Sequence, residues 1–320
     1  MILSTLKLWT CLLSLTTSAF ASHGHGHGHS HGHASHISRR EISSELFEKF
    51  KLFAQLATIT NCDQNINRTG YPLTCDQGPC DLVQADDTEI VNTYHHKTGG
   101  TGYIALDHTR KLIIVTFRGT ITFPDLYQDF RIPILTPVPE LCDGCSAHPG
   151  FWEYWLSAKD QIIEELRAYT KQNPDYRVSV TGYSLGAGVA TVAGVALRVE
   201  GIPCDIWTFG AAKPGNKKLA EFITDQQKPV SIYRATHAKD LIPAIPFTTI
   251  GFDYTQPSPE FWIDQPSGEV VTPDVVKYIE GINNQTGNLG QHGRSIGAEH
   301  EWYFGNMTVC GPSADLYALF

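Results

Sequence analysis

A serine flanked by glycines, in the segment Gly182-Tyr183-Ser184-Leu185-Gly186, restricts the fold of this 320-residue chain more than any other feature. The β-prone run of residues 178–181 precedes it, and an apolar stretch rich in Ala and Val follows at once. This order is typical of a strand that turns sharply into a helix and presents the serine above a sheet. Glycines are needed on both sides because a Cβ there would collide with the neighbouring strand and helix. The motif therefore predicts a nucleophilic serine at the start of a helix.

Strand-like and helical segments alternate through the rest of the chain. The run Leu112-Ile113-Ile114-Val115 is continuously apolar, as is typical of a strand buried on both faces of a sheet. The alternation predicts an α/β fold with a mostly parallel central sheet and helices on both faces. Helices are predicted over residues 46–57, 151–172, 185–198 and 217–224, and strands over residues 103–106, 111–117, 177–181, 204–209 and 231–235.

A serine nucleophile needs a base, and the base needs a carboxylate that orients it. In an α/β-hydrolase fold, where a serine occupies such a turn, the chain order is serine, acid, histidine. Asp240 lies just beyond a predicted strand, where an acid is expected. His300 follows it, beside aromatic residues 302–304 that can pack its loop against the domain. Ser184, Asp240 and His300 are therefore the predicted catalytic triad.

The sequence also offers other candidates for the base and the acid. His237 and His292 also follow Ser184, but His237 precedes Asp240 and His292 lies in a loop segment rich in Gly and Asn. Glu299 and Glu301 flank His300, although adjacent side chains point in different directions.

An oxyanion hole requires two donors near the serine. The backbone N–H of Leu185 is one candidate, and Thr120, at the end of Phe117-Arg118-Gly119-Thr120, is the other. We expect Arg118 to form a structural ion pair. The next segment predicts an amphipathic helix that forms a short lid, which could open at a lipid–water interface. Its apolar face consists of Phe123, Leu126, Tyr127 and Phe130.

The N-terminal forty residues differ in composition from the rest. Residues 1–21 have a basic start, an apolar stretch and a small-residue cleavage site, which together predict a secretory signal peptide rather than a transmembrane anchor. Residues 22–40 contain seven of the 14 histidines and end in Arg39-Arg40, which predicts a processed pro-segment. Residues 41–320 are the expected single catalytic domain, and the protein is expected to be secreted and extracellular.

Charge excludes one class of function. The formal net charge is −9, and setting aside the three basic residues of segment 1–40 leaves 21 basic against 33 acidic residues, a net charge of −12. Nucleic-acid binding needs a basic surface, so it is not expected. No cofactor and no metal site in the domain are predicted. A non-catalytic, metal-binding secreted protein is an alternative supported by the histidine tract alone.

Secretion permits disulfides. Cys75 and Cys80, and Cys142 and Cys145, are close enough in sequence for local bridges, and a Cys62–Cys310 bridge would connect the two ends of the domain. Cys204 precedes an apolar run and is expected to be a buried thiol.

The chain from Arg39 onward resembles the secreted fungal class 3 lipases, especially the Thermomyces type. The resemblance lies in residues 117–120, in the serine motif with residues 190–194, and in residues 233–240, 258–263 and 298–305. It implies an α/β-hydrolase fold, the same triad and oxyanion residues, and acyl-ester hydrolysis. It also implies the disulfides Cys62–Cys310, Cys75–Cys80 and Cys142–Cys145.

Three segments differ from the usual family pattern. In and directly after the serine motif, Tyr183 replaces a histidine and Ala187 stands where lipases often have glycine. Further along, Ala212-Lys213-Pro214 replaces Pro-Arg-Val. The lid lacks the usual Trp and contains Pro124. A triacylglycerol lipase that acts at lipid interfaces is the favoured function. The alternative is a feruloyl esterase or soluble-ester carboxylesterase on the same scaffold.

Overall fold

The computed structural model describes residues 41–75, 78, 80–95, 101–119, 134–226, 229–248 and 251–310. Thr120 and the predicted lid residues Phe123, Leu126, Tyr127 and Phe130 lie outside these ranges, as does segment 1–40.

Eight strands form one sheet. They are β1 Thr88–His95, β2 Thr101–Asp107, β3 Leu112–Phe117, β6 Arg177–Tyr183, β7 Cys204–Phe209, β8 Ile232–His237, β9 Glu260–Ile263 and β10 Val276–Ile279, and they lie in this order across the sheet. The central pairs, from β3 to β9, are parallel, whereas β1-β2, β2-β3 and β9-β10 are antiparallel. A separate pair comprises β4 Thr136–Pro137 and β5 Ser146–Ala147.

The α-helices in the described part of the chain are α1 Ser44–Ile59, α2 Asp81–Gln84, α3 Pro149–Gln172, α4 Leu185–Val199, α5 Lys217–Asp225 and α6 Ala298–Glu301. The three long ones, α1, α3 and α4, pack against the sheet. Ser43 caps α1 by accepting a hydrogen bond from the Leu46 N–H, and Asn216 caps α5 in the same way through the Leu219 N–H. Pro149 starts α3, where its missing N–H costs nothing.

Side-chain alternation along β3 divides the core between the two faces of the sheet. Ile113 and Val115 point towards the core that contains Phe151 and Trp155 of α3 and much of α4. Ile114 points to the other face, into a core that contains Phe50 and Phe53 of α1. Helices therefore cover both faces, and the prediction of an α/β-hydrolase fold with a mostly parallel sheet is confirmed.

The structure contains the disulfides Cys62–Cys310, Cys75–Cys80 and Cys142–Cys145, and Cys204 is a buried free thiol at the start of β7. Burial raises the pKa of Cys204 to about 12, so this thiol stays protonated and unreactive at neutral pH. Among the described residues no helix is long and apolar enough to cross a bilayer.

Candidate active site

The backbone at Ser184 has the strained conformation that a sharp strand–helix turn requires. Its φ is 57° and its ψ is −123°, and it lies between the end of β6 and the first residue of α4. A Cβ on Gly182 would lie 2.3 Å from the Gly186 carbonyl oxygen, and one on Gly186 would lie 2.1 Å from the Phe117 carbonyl oxygen. Both neighbours are backbone atoms, so neither position has room for a side chain.

Ser184, His300 and Asp240 form one chain of hydrogen bonds. The Ser184 Oγ lies 2.9 Å from Nε2 of His300, and Nδ1 of the same ring lies 2.8 Å from Oδ2 of Asp240. Asp240 and His300 are fully buried, and Ser184 is 6% exposed. The structure therefore brings together three residues that lie at positions 184, 240 and 300 of the sequence.

The carboxylate of Asp240 has further donors. Its Oδ2 accepts a hydrogen bond of 2.6 Å from the Tyr303 hydroxyl, and its Oδ1 accepts one of 2.9 Å from the Ile242 N–H. Asn288 donates to the Asp240 backbone carbonyl over 2.9 Å. Burial, and then the nearby charge of Asp240, raise the pKa of Tyr303 well above its usual value, so its hydroxyl remains a donor. The bonds from Tyr303 and Ile242 fix the carboxylate in position, and its Oδ2 contacts both Tyr303 and His300.

His237 and Glu299, the alternative base and acid, have other partners. His237 is fully buried, and its ring nitrogens lie 2.8 Å from the Glu299 carbonyl oxygen and 2.9 Å from the Gln265 carbonyl oxygen. The Glu299 carboxylate lies 3.7 Å from the Lys239 amine. His237 therefore connects the segment before His300 to the sheet, and Glu299 pairs at the surface.

Of the two predicted oxyanion donors, only Leu185 lies within the described residues. Leu185 is the first residue of α4, next to Ser184, where backbone N–H groups have no partner within the helix. Thr120 lies outside the described residues, but Gly119 is adjacent to the turn, since a Cβ there would lie 3.1 Å from the Tyr183 carbonyl oxygen. Arg118 lies 3.3 Å from Asp63, the kind of structural pair that the sequence predicts.

Three contacts in this site were not foreseen. Tyr303, Asn288 and Tyr183 all contact Asp240 or His300. The sequence indicated only Tyr303, through the aromatic segment 302–304. Within the described ranges no cluster of three or more His, Cys, Asp or Glu side chains is arranged to bind a metal ion.

A sheet of this topology that presents a serine on a strand–helix turn defines an α/β-hydrolase. The family model for lipase (class 3) matches residues 114–250. The secreted mono- and diacylglycerol lipase A of Penicillium cyclopium is 33% identical over 275 residues, which covers 84% of this chain and 88% of that protein. The secreted mono- and diacylglycerol lipase 1 of Fusarium solani is 35% identical over 275 residues, which covers 85% of this chain and 80% of that protein.

Solved structures agree with these similarities. The crystal structure of a mono- and diacylglycerol lipase from Aspergillus oryzae matches with a TM-score of 0.77 and 34% identity, and covers 84% of this chain and 100% of that one. This chain therefore belongs to the class 3 lipase family, as its resemblance predicts.

Proposed function

We propose that the protein is a secreted acylglycerol lipase in which Ser184 is the nucleophile, His300 the general base and acid, and Asp240 the residue that orients the imidazole. The single observation that supports this proposal most strongly is the buried hydrogen-bond chain from Ser184 Oγ through His300 to Asp240 Oδ2. Membership of the lipase family supplies the ester substrate class.

The chemistry follows from the order of these contacts, in which the imidazole of His300 lies between the Ser184 hydroxyl and the Asp240 carboxylate. His300 Nε2 takes the proton of Ser184 as Oγ attacks the ester carbonyl, and Asp240 stabilises the imidazolium that forms. The N–H of Leu185 and the N–H and hydroxyl of Thr120 stabilise the oxyanion. His300 then gives its proton to the departing alcohol, and water, activated by the same imidazole, releases the fatty acid from Ser184.

The range of acylglycerols is the finer part of the proposal. The sequence favours triacylglycerol, whereas the relatives from Penicillium and Fusarium are named mono- and diacylglycerol lipases. We therefore include partial glycerides among the proposed substrates. Phe123, Leu126, Tyr127 and Phe130 are proposed as the lid surface that contacts the lipid–water interface.

A substrate panel tests this assignment. Initial rates are compared on emulsified tri-, di- and monoacylglycerols, on p-nitrophenyl butyrate and on methyl ferulate, with Ser184→Ala as the blank. The proposal predicts hydrolysis of at least one long-chain acylglycerol above the blank, at a higher rate than methyl ferulate. A preference for methyl ferulate, or for soluble esters alone, would assign the scaffold to an esterase instead.

Processing of the signal peptide and the pro-segment is a separate part of the proposal. Residues 1–21 direct secretion, and cleavage after Arg39-Arg40 leaves Glu41 as the first residue of the mature enzyme. N-terminal sequencing of the protein secreted by its native host tests this, because a mature chain that begins at Ser22 would show that the histidine tract is retained.

A further inference from the structure

Tyr183, the residue directly before Ser184, contacts His300 in two ways. Its ring is stacked on the imidazole, with ring centroids 4.9 Å apart and planes inclined by 27°. Its hydroxyl donates a hydrogen bond of 2.9 Å to the His300 backbone carbonyl. The side chain is buried, with 6% of its surface exposed. One residue of the serine turn therefore contacts both the backbone and the ring of His300, which lies 117 positions away.

The hydroxyl contact bears on where His300 lies. His300 belongs to α6, a helix of four residues, and its backbone N–H bonds to the Gly297 carbonyl within the same short segment. A helix of this length has little stability of its own. A bond from β6 to the His300 carbonyl therefore connects this segment directly to the strand that carries Ser184.

The stacked ring bears on the charge of His300. The face of an aromatic ring is electronegative, and it attracts a cation within about 6 Å of its centroid. His300 becomes an imidazolium each time it removes a proton from serine or water. The phenol ring is already in place, so it can stabilise that charge without reorganisation.

We propose that Tyr183 is a positioning residue, whose hydroxyl fixes the backbone of His300 and whose ring fixes the imidazole plane and stabilises its protonated form. This inference rests on the proposed function, because it takes His300 as the base. The family usually has histidine at this position, so the tyrosine contact is a feature of this sequence.

Two variants separate the two contacts. Tyr183→Phe removes the hydroxyl and keeps the ring, whereas Tyr183→Leu removes both. The readouts are kcat and KM on p-nitrophenyl butyrate and the rate constant with which a soluble p-nitrophenyl phosphonate labels Ser184. We expect kcat and the labelling rate to fall about three- to tenfold in Tyr183→Phe and roughly 30- to 100-fold in Tyr183→Leu, with KM within about twofold.

Tyr103→Phe is the matched control. The Tyr103 hydroxyl also donates to a backbone carbonyl in the core, that of Leu56, over 3.1 Å, but it connects β2 to α1 away from the triad. This variant should lose thermal stability to a similar extent as Tyr183→Phe and keep the wild-type kcat.

The outcomes are distinct. Wild-type kcat and labelling rate in folded Tyr183→Phe and Tyr183→Leu would overturn the proposal, and so would a loss confined to KM or an equal loss in Tyr103→Phe. If Tyr183→Leu does not fold, Tyr183→Phe decides alone. A wild-type enzyme that the phosphonate does not label would instead contradict the proposed function.

Discussion

The Tyr303 hydroxyl donates a hydrogen bond of 2.6 Å to Oδ2 of Asp240, the same oxygen that lies 2.8 Å from His300 Nδ1. All three residues are fully buried. A carboxylate that is removed from water needs hydrogen-bond donors around it. At this buried position the Tyr303 hydroxyl takes the place of a water molecule as a donor. Tyr303 therefore stabilises the charged acid at the point where it contacts the base.

Tyr303→Phe should weaken both stability and catalysis. The substitution keeps the ring and removes one donor to an ionised group, a type of bond worth about 1.5–3 kcal/mol. We expect the free energy of unfolding to fall by about that amount and kcat to fall roughly tenfold on a soluble ester. Urea denaturation and steady-state kinetics measure the two effects. An unchanged kcat would show that the contacts of the Asp240 carboxylate with His300 and Ile242 are sufficient.

Gly186→Ala should destabilise the domain. A Cβ at this position would lie 2.1 Å from the Phe117 carbonyl oxygen, so α4 and β3 would have to separate. We expect a loss of about 3 kcal/mol in urea denaturation. Gly150→Ala, in the first turn of α3, is the control, because its Cβ would lie no closer than 3.3 Å to a neighbour, the His148 ring, and its loss should be smaller. A Gly186→Ala variant as stable as wild type would contradict the tight packing at this turn.

The buried side chain of Lys213 should make the free energy of unfolding depend on pH. It is 6% exposed, and burial, with a smaller contribution from Arg294, lowers its pKa to about 8. The unfolded chain has a lysine pKa of about 10.4, so between pH 8 and pH 10 it binds more protons than the folded chain. The free energy of unfolding therefore rises with pH between pH 8 and pH 10. Below pH 8 the lysine is charged in both states, so the buried charge destabilises the folded chain to its full extent.

Lys213→Met removes that cost. We expect it to raise the free energy of unfolding by on the order of 1–3 kcal/mol at pH 7 and by clearly less at pH 9.5. Lys171→Met, which replaces an exposed lysine of α3, is the control and should have little effect at either pH. A gain of the same size at both pH values would show that Lys213 does not titrate in this window.

The fold was largely predictable because its signals are local. Residues 204–209 form a strand and residues 151–172 lie in a helix, as their apolar patterns predict. The strands β1, β9 and β10 were not assigned from sequence. β9 and β10 have four residues each, and five of the eight residues of β1 are polar, so the conformation of these strands depends on partners in the sheet.

The site was predictable only where chain order or a turn motif restricted it. Ser184 follows from its glycines, and Asp240 and His300 follow from their order along the chain. The contacts of His237 and Tyr183 could not be derived in this way. His237 bonds to a carbonyl 62 positions away. Both His237 and Tyr183 bond to backbone oxygens, which every residue has, so the sequence does not indicate these partners.

Hydrolysis of a long-chain diacylglycerol by Ser184→Ala tests the central claim most directly. Ser179→Ala, which changes another buried serine of β6, is the matched control and should keep the wild-type rate. If Ser184 is the nucleophile, its loss should lower kcat by a factor on the order of 10⁵–10⁶, as for other serine triads. A folded Ser184→Ala protein that releases fatty acid at more than about one per cent of the wild-type rate would contradict the proposed mechanism.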